Sequence, residues 1–168
     1  LTRVVNQRTR IRALGLCHGV CGTARQFATF LGASLAESTY VNTGIDHCSF
    51  FTHLQVRGQD VGSRLLEMGV DEWLALPPAQ AREHPVFGPV YSCRCGLLLW
   101  RHLGALPAIG DRHLVEFFPE FLRGQASVVR YGLVRTSIAD RQAGRARAGQ
   151  RLDDWLAGRE ELPAGGGS

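Results

Sequence analysis

Hydrophobic and polar positions change rhythm several times along the chain, and each change marks an element. Ile11, Ala13, Leu14 and Leu16 form an apolar run over residues 11–17 that predicts a buried strand, entered from the end of a helix over residues 1–10. Gly19-Val20-Cys21-Gly22 predicts a turn, after which Thr23 can cap a helix reaching Leu31 and stopped by Gly32. Residues 40–56 are strand-like, with Phe50, Phe51, Leu54 and Val56, and Arg57-Gly58-Gln59-Asp60 predicts a hairpin turn before Val61. One helix is expected over 63–76, ended by Pro77-Pro78. A loop follows over 85–89, then a buried helix over 90–103 and a loop over 106–111. A short helix over 113–122 is bent by Pro119, and a long amphipathic helix spans 138–157. Residues 163–168, proline followed by alanine, three glycines and serine, predict a disordered tail. The elements describe an α+β fold with more helix than strand, in which a strand buried on both faces finds few neighbours.

Composition narrows the classes. With 168 residues, 45% of them hydrophobic and 20% charged, one domain with its own core is expected over 1–162. No apolar run approaches the ~20 residues that cross a bilayer, and no apolar stretch follows Arg3 as in a signal peptide. The expectation is a cytoplasmic protein with no membrane partner. All 19 basic residues are arginine, and they are interspersed with acids. The one dense run, residues 141–151, has helical spacing and reads as a solvated helix face, so no nucleic-acid partner is expected. Five cysteines, Cys17, Cys21, Cys48, Cys93 and Cys95, form no paired CxxC motif and read as reduced thiols.

Three clusters carry candidate chemistry. In Gly15-Leu16-Cys17-His18-Gly19-Val20 a cysteine and a histidine stand where a strand gives way to glycine, a place where open α/β sheets put ligands. A thiolate and an imidazole can ligate a borderline metal, although a cysteine there can equally be a small buried hydrophobe. Gly44-Ile45-Asp46-His47-Cys48 puts a histidine at the start of an apolar strand, either as a ligand or as a side chain satisfied by backbone. The run from Ala108 to Pro119 gathers Asp111, Arg112, His113 and Glu116 around a loop-to-helix junction, where Asp111 can be a helix cap.

In that order, GLCHGV, GIDH and GDRHLVEFFP resemble the run of motifs in glycoside hydrolase family 4, and the resemblance covers residues 1–162. It implies the helix-rich C-terminal domain of a lactate/malate dehydrogenase-like architecture, truncated at both ends. No GxGxxG accompanies it, so the dinucleotide-binding domain and the family's Asn-Pro motif are expected before Leu1, and the chain is expected to be inactive alone. The resemblance implies NAD and a divalent metal, commonly Mn2+, as cofactors, with Cys17 and His47 as metal ligands and the substrate's hydroxyls completing the shell. It implies hydrolysis of α-glycosides by C3 oxidation, C2 deprotonation and elimination, outside the two-carboxylate scheme. Tyr91 and Asp111 compete as the base, since Tyr91 can also be a core aromatic. His18, Asp46, Arg112 and His113 are the implied substrate contacts. Asp46 departs from the family's usual asparagine. His18-Gly19 after the cysteine resembles the uronidase subgroup, favouring an α-glucuronide or α-galacturonide over an α-glucoside or α-galactoside. A homo-oligomer is expected of the complete enzyme. Two other readings stand beside this one: a dehydrogenase of the lactate/malate type, which needs no metal, and a non-catalytic assembly domain.

Overall fold

The structure, a computed structural model, describes residues 6–10, 18–134 and 137–159. The chain divides into two compact units, Leu1–Leu133 and Val134–Ser168. The expected strand over 11–17, Cys17 included, and the expected tail over 163–168 lie outside the described residues.

Helix α1 spans Gly19–Phe30 and buries Thr23, Ala24, Phe27 and Ala28, a spacing that places all four on one face. The turn expected at Gly19–Gly22 is instead the first turn of this helix: the Gly22 amide donates to the His18 carbonyl at 2.8 Å. Packing of the apolar face extends the helix over glycines whose own propensity is poor. Thr23 is therefore a core residue, and His18 occupies the cap position.

The strand-like stretch over 40–56 is a hairpin. Strand β1, Ser38–Ile45, pairs antiparallel with β2, Cys48–Val56, and Ile45 faces Cys48 across a two-residue turn. Phe51, Leu54 and Val56 are buried, so β2 carries the sheet's core face. Arg57 and Gly58 both take positive φ, 51° and 74°, forming the tight turn the sequence predicted into the short β3, Gln59–Asp60. A fourth strand, β4, Leu106–Pro107, was expected to be loop. It pairs antiparallel with β2 through Phe50–Pro107 and Phe51–Leu106. Two residues, one of them proline, give no periodicity from which a strand can be read.

The helix expected over 63–76 is two, α2 (Val61–Glu67) and α3 (Val70–Ala75). Gly69 breaks them at φ 85°, a conformation glycine adopts without steric cost. The break aims Val70, Trp73 and Leu74 into the core beside Val61 and Leu65. The Trp73 indole donates to the Ala81 carbonyl at 2.8 Å, and its ring stacks on Phe87 at 5.2 Å. A short helix, α4, follows over Pro78–Arg82.

Residues Gly88–Cys93 form a 3-10 turn leading into α5, Arg94–Leu103, where one helix from Val90 was expected. Arg94 is buried and donates to the carbonyls of Leu74 and Leu76, each at 2.8 Å, closing the C-terminal end of α3 with a charged cap. Gly96 stands where a β-carbon would run into the Pro107 ring and Leu114. Glycine there lets β4 and the next helix close on the start of α5. Gly96→Ala is expected to cost about 1–3 kcal/mol by overpacking, read in urea unfolding.

The short helix expected over 113–122 is α6, Asp111–Leu114, followed by 3-10 turns over Val115–Phe117 and Pro119–Leu122. Helix α7, Gln125–Tyr131, ends at Gly132 with φ 67°. Cys95, Val115 and Phe121 form a second small core, with the Phe121 and Tyr131 rings edge to face at 4.6 Å.

In the Val134–Ser168 unit, α8 covers Ile138–Leu156 as the sequence pattern predicts. Ser137 accepts from the Asp140 amide at 3.0 Å while its own amide donates to the Asp140 carboxylate at 3.1 Å, a reciprocal cap. Arg141, Arg145, Arg147 and Arg151 are exposed. No helix among the described residues is long and apolar enough to cross a membrane.

Candidate active site

The geometry begins at the β1–β2 turn. Asp46 takes φ 50°, a left-handed conformation that asparagine and aspartate adopt more readily than other side-chain-bearing residues. This gives a backbone reason for an aspartate at this turn, where an asparagine would serve as well. Gly44, at φ 134°, prepares the turn, because a β-carbon there would strike the backbone of Cys48 and Ser49. His47 follows, half-buried, with its Nε2 3.8 Å from an Asp46 carboxylate oxygen.

Strand pairing then brings distant sequence to this turn. The Ala108 amide donates to the Ser49 carbonyl at 3.0 Å, continuing the β2–β4 pairing toward the hairpin end. The chain beyond β4 enters α6 beside His47. The His47 and His113 rings lie 4.2 Å apart, centroid to centroid, tilted by 40°. Glu116 is one helical turn beyond His113 and shares its face. The donor atoms of His47, His113 and Glu116 all lie within 4.8 Å of one another. Two imidazoles and a carboxylate are a donor set that fits a borderline divalent metal. Glu116 entered the sequence reading only as part of the third cluster. The signal that singles it out is the His-x-x-Glu spacing, which puts both side chains on one helix face.

Asp111 sits at the first position of α6, but it caps a different helix. Its carboxylate accepts from the amides of Cys95 at 2.8 Å and Gly96 at 2.9 Å, at the start of α5. Burial pushes its carboxyl up to about 7, while those two amides and Arg94 pull the other way. The same burial, together with the negative charge of Asp111, pushes the Cys93 thiol up to about 12 and raises that of Cys95 as well. Both are inert thiols in this setting.

Tyr91 is buried in the wall of the Leu1–Leu133 unit. Its hydroxyl donates to the Gly132 carbonyl at 2.9 Å, and the Arg82 guanidinium lies 5.0 Å over its ring. Gly132 has no room for a side chain, since a β-carbon would overlap the Tyr91 hydroxyl and Pro78. His18, at the cap of α1, and Arg112, on α6, are both exposed. The structure therefore brings the second and third sequence clusters together through His47 and His113, with Asp111 two residues away along the chain. Cys17, the metal ligand implied for the first cluster, lies outside the described residues.

The chain is similar in sequence and fold to proteins named as glycosidases. The chain is 31% identical over 153 residues to an alpha-galacturonidase of Bacillus subtilis (strain 168), covering 85% of this chain and 33% of that protein. It is 28% identical over 147 residues to an alpha-galactosidase of Rhizobium meliloti (strain 1021), covering 88% of this chain and 27% of that protein. A crystal structure of a candidate glucosidase, lplD from Bacillus subtilis, superposes on 95% of this chain and 38% of its own with a TM-score of 0.61 at 27% identity. No family model matches the chain. The chain thus spans a third or less of the length of these two curated relatives. The helix-rich α+β fold with its small antiparallel sheet is consistent with the C-terminal domain of such an enzyme.

Proposed function

We propose that this chain is the metal- and substrate-binding part of an NAD-dependent α-glycosidase acting on an α-linked uronide, with α-galacturonide and α-glucuronide ahead of α-galactoside and α-glucoside. The observation that carries the reading is the meeting of His47 and His113, 66 positions apart in sequence and 4.2 Å apart between ring centroids. Similarity to an alpha-galactosidase and an alpha-galacturonidase supports the glycosidase class. A lactate/malate-type dehydrogenase has no use for a convergent metal-donor set.

His47, with Cys17 as its proposed partner, would hold the divalent metal. When bound, metal and nicotinamide supply Lewis-acid polarisation and a hydride acceptor for the sugar's C3. The chain's own residues then have distinct tasks. Asp111 and Tyr91 are both proposed as the base for the C2 proton: burial raises the Asp111 carboxyl to about 7, and the Arg82 guanidinium lies over the Tyr91 ring. Each is engaged in the fold, the Tyr91 hydroxyl donating to the Gly132 carbonyl and the Asp111 carboxylate accepting from the Cys95 and Gly96 amides, so either must change partners to take the proton. His18, Asp46 and His113 are proposed sugar contacts. Arg112, exposed next to His113, is the proposed partner of the uronate carboxylate, which a guanidinium can hold through two parallel hydrogen bonds.

The test is substrate discrimination by the protein that carries this chain, supplied with NAD and Mn2+. Hydrolysis of p-nitrophenyl α-galacturonide in preference to the α-galactoside is expected. Arg112→Ala should raise KM for the uronide at least about tenfold and leave the neutral galactoside nearly unchanged. Equal loss on both substrates would remove Arg112 from carboxylate recognition. Hydrolysis of neither glycoside by the loaded protein would overturn the glycosidase reading.

A further inference from the structure

We propose that the open edge of β1 is a pairing surface for a second copy of this chain: the two β1 strands, Ser38–Ile45, run antiparallel about a two-fold axis at Val41 and join two sheets into one. The pairing uses the backbone of one strand. It requires neither metal nor sugar and does not rest on the glycosidase reading.

Among the described residues, β1 is bonded to β2 on one side and to no strand on the other, since β3 and β4 both pair with β2. The Val41 carbonyl faces β2, where it accepts from the Thr52 hydroxyl at 3.3 Å. By the alternation of an antiparallel ladder, Tyr40 and Asn42 on either side of it turn their N–H and C=O groups to the open edge. Such an edge is a template for another strand, and proteins that keep one unpaired blunt it with charge, proline or a covering segment. The run Ser38-Thr39-Tyr40-Val41-Asn42-Thr43-Gly44-Ile45 contains no charged residue and no proline. It adds apolar surface instead: Val41 is 55% exposed and Ile45 81%.

The chemistry of the edge selects the occupant. A charged segment finds no counter-charge along β1, so the fitting strand is uncharged and rich in β-branched and aromatic residues. β1 is itself such a strand. A two-fold axis normal to the sheet sets residues that point to the same face opposite one another. With the axis at Val41, valine meets valine, Thr39 meets Thr43, and Tyr40 exchanges backbone bonds with Asn42. These are apolar and hydroxyl pairs, and no like charges are opposed. The Val41 pair falls at a non-hydrogen-bonded position, where facing side chains come closest. The ends of the strand favour this register. An axis at Asn42 or Thr43 draws Gly44, at φ 134°, into the ladder, and at Thr43 also Asp46, at φ 50°. An axis at Tyr40 puts Glu37, in the 3-10 turn Leu35–Glu37, opposite Thr43.

Sedimentation velocity of the 168-residue chain under reducing conditions, with a charge exchange at Val41, tests the proposal. The parent is expected to sediment as a dimer, at twice the 18.4 kDa of one chain. Val41→Lys and Val41→Glu each set like charges against one another on the axis and should weaken dimerisation at least tenfold. An equimolar mixture of the two variants sets lysine against glutamate and should restore the dimer. That restoration separates two-fold pairing of β1 from general association through apolar surface. Near-UV circular dichroism checks that each variant, altered at an exposed position, keeps the parent's tertiary packing. A folded parent that remains a monomer overturns the proposal, and so does a dimer that neither variant weakens. Weakening by both variants without restoration in the mixture also overturns it, because Val41 then does not face its own copy.

Discussion

Asp111→Ala is expected to destabilise the Leu1–Leu133 unit by about 2–4 kcal/mol, because it leaves two buried amides without an acceptor. Those amides, of Cys95 and Gly96, are at the start of α5, where the helix cannot satisfy them itself. Asp111 is therefore a cap supplied from another element, and it also anchors α6 and with it His113. The size of the loss should depend on pH in a direction opposite to most carboxylates. Burial holds the Asp111 carboxyl at about 7 against an ordinary value of 3.8. Between those values the folded chain keeps a proton that the unfolded chain has released. The contribution of Asp111 is thus full below about pH 4 and lost as pH rises through 7. Urea unfolding of parent and Asp111→Ala at pH 5 and pH 8 measures this, and the gap between them should be wider at pH 5. A gap wider at pH 8 would mean that the helix-capping charge outweighs burial.

His47→Ala should reduce glycoside hydrolysis by the protein that carries this chain at least about 100-fold in kcat/KM. The side chain is 26% exposed and sits on a two-residue turn whose shape is set by Gly44 and Asp46. Its removal should therefore change unfolding free energy by less than about 1 kcal/mol. The separation of the two effects is the informative feature. A large loss of stability with proportionate loss of activity would make His47 a packing residue. Unchanged kcat/KM in a folded variant would remove it from the reaction.

Parts of this arrangement were legible in the sequence for local reasons. The β2 strand follows from Phe51, Leu54 and Val56, and the tight turn after it from Arg57-Gly58. The long helix from Ile138 follows from its pattern, and its start is marked by Ser137 and Asp140 in capping-box spacing. The clusters around His47 and His113 were visible as chemistry, but their meeting was not. It depends on β4, whose two residues carry no pattern of their own. The role of Asp111 was half-legible: a cap was a natural reading, but the helix it caps begins 17 positions earlier, at Arg94. The single helix expected over 63–76 failed at Gly69, where core packing uses a left-handed residue to turn Trp73 inward. Arg94, buried against the carbonyls of Leu74 and Leu76, looks like any other arginine until the fold surrounds it.

The proposed reaction makes one claim that ordinary hydrolysis does not, namely removal of the proton at C2 of the sugar. The protein carrying this chain, loaded with NAD and Mn2+, should therefore be run on an α-galacturonide in deuterium oxide and the released sugar examined by NMR. Deuterium at C2 of the product is the expected result, because the proton taken by the base exchanges with solvent before it is returned. Galacturonate released with its C2 proton fully retained would contradict the account.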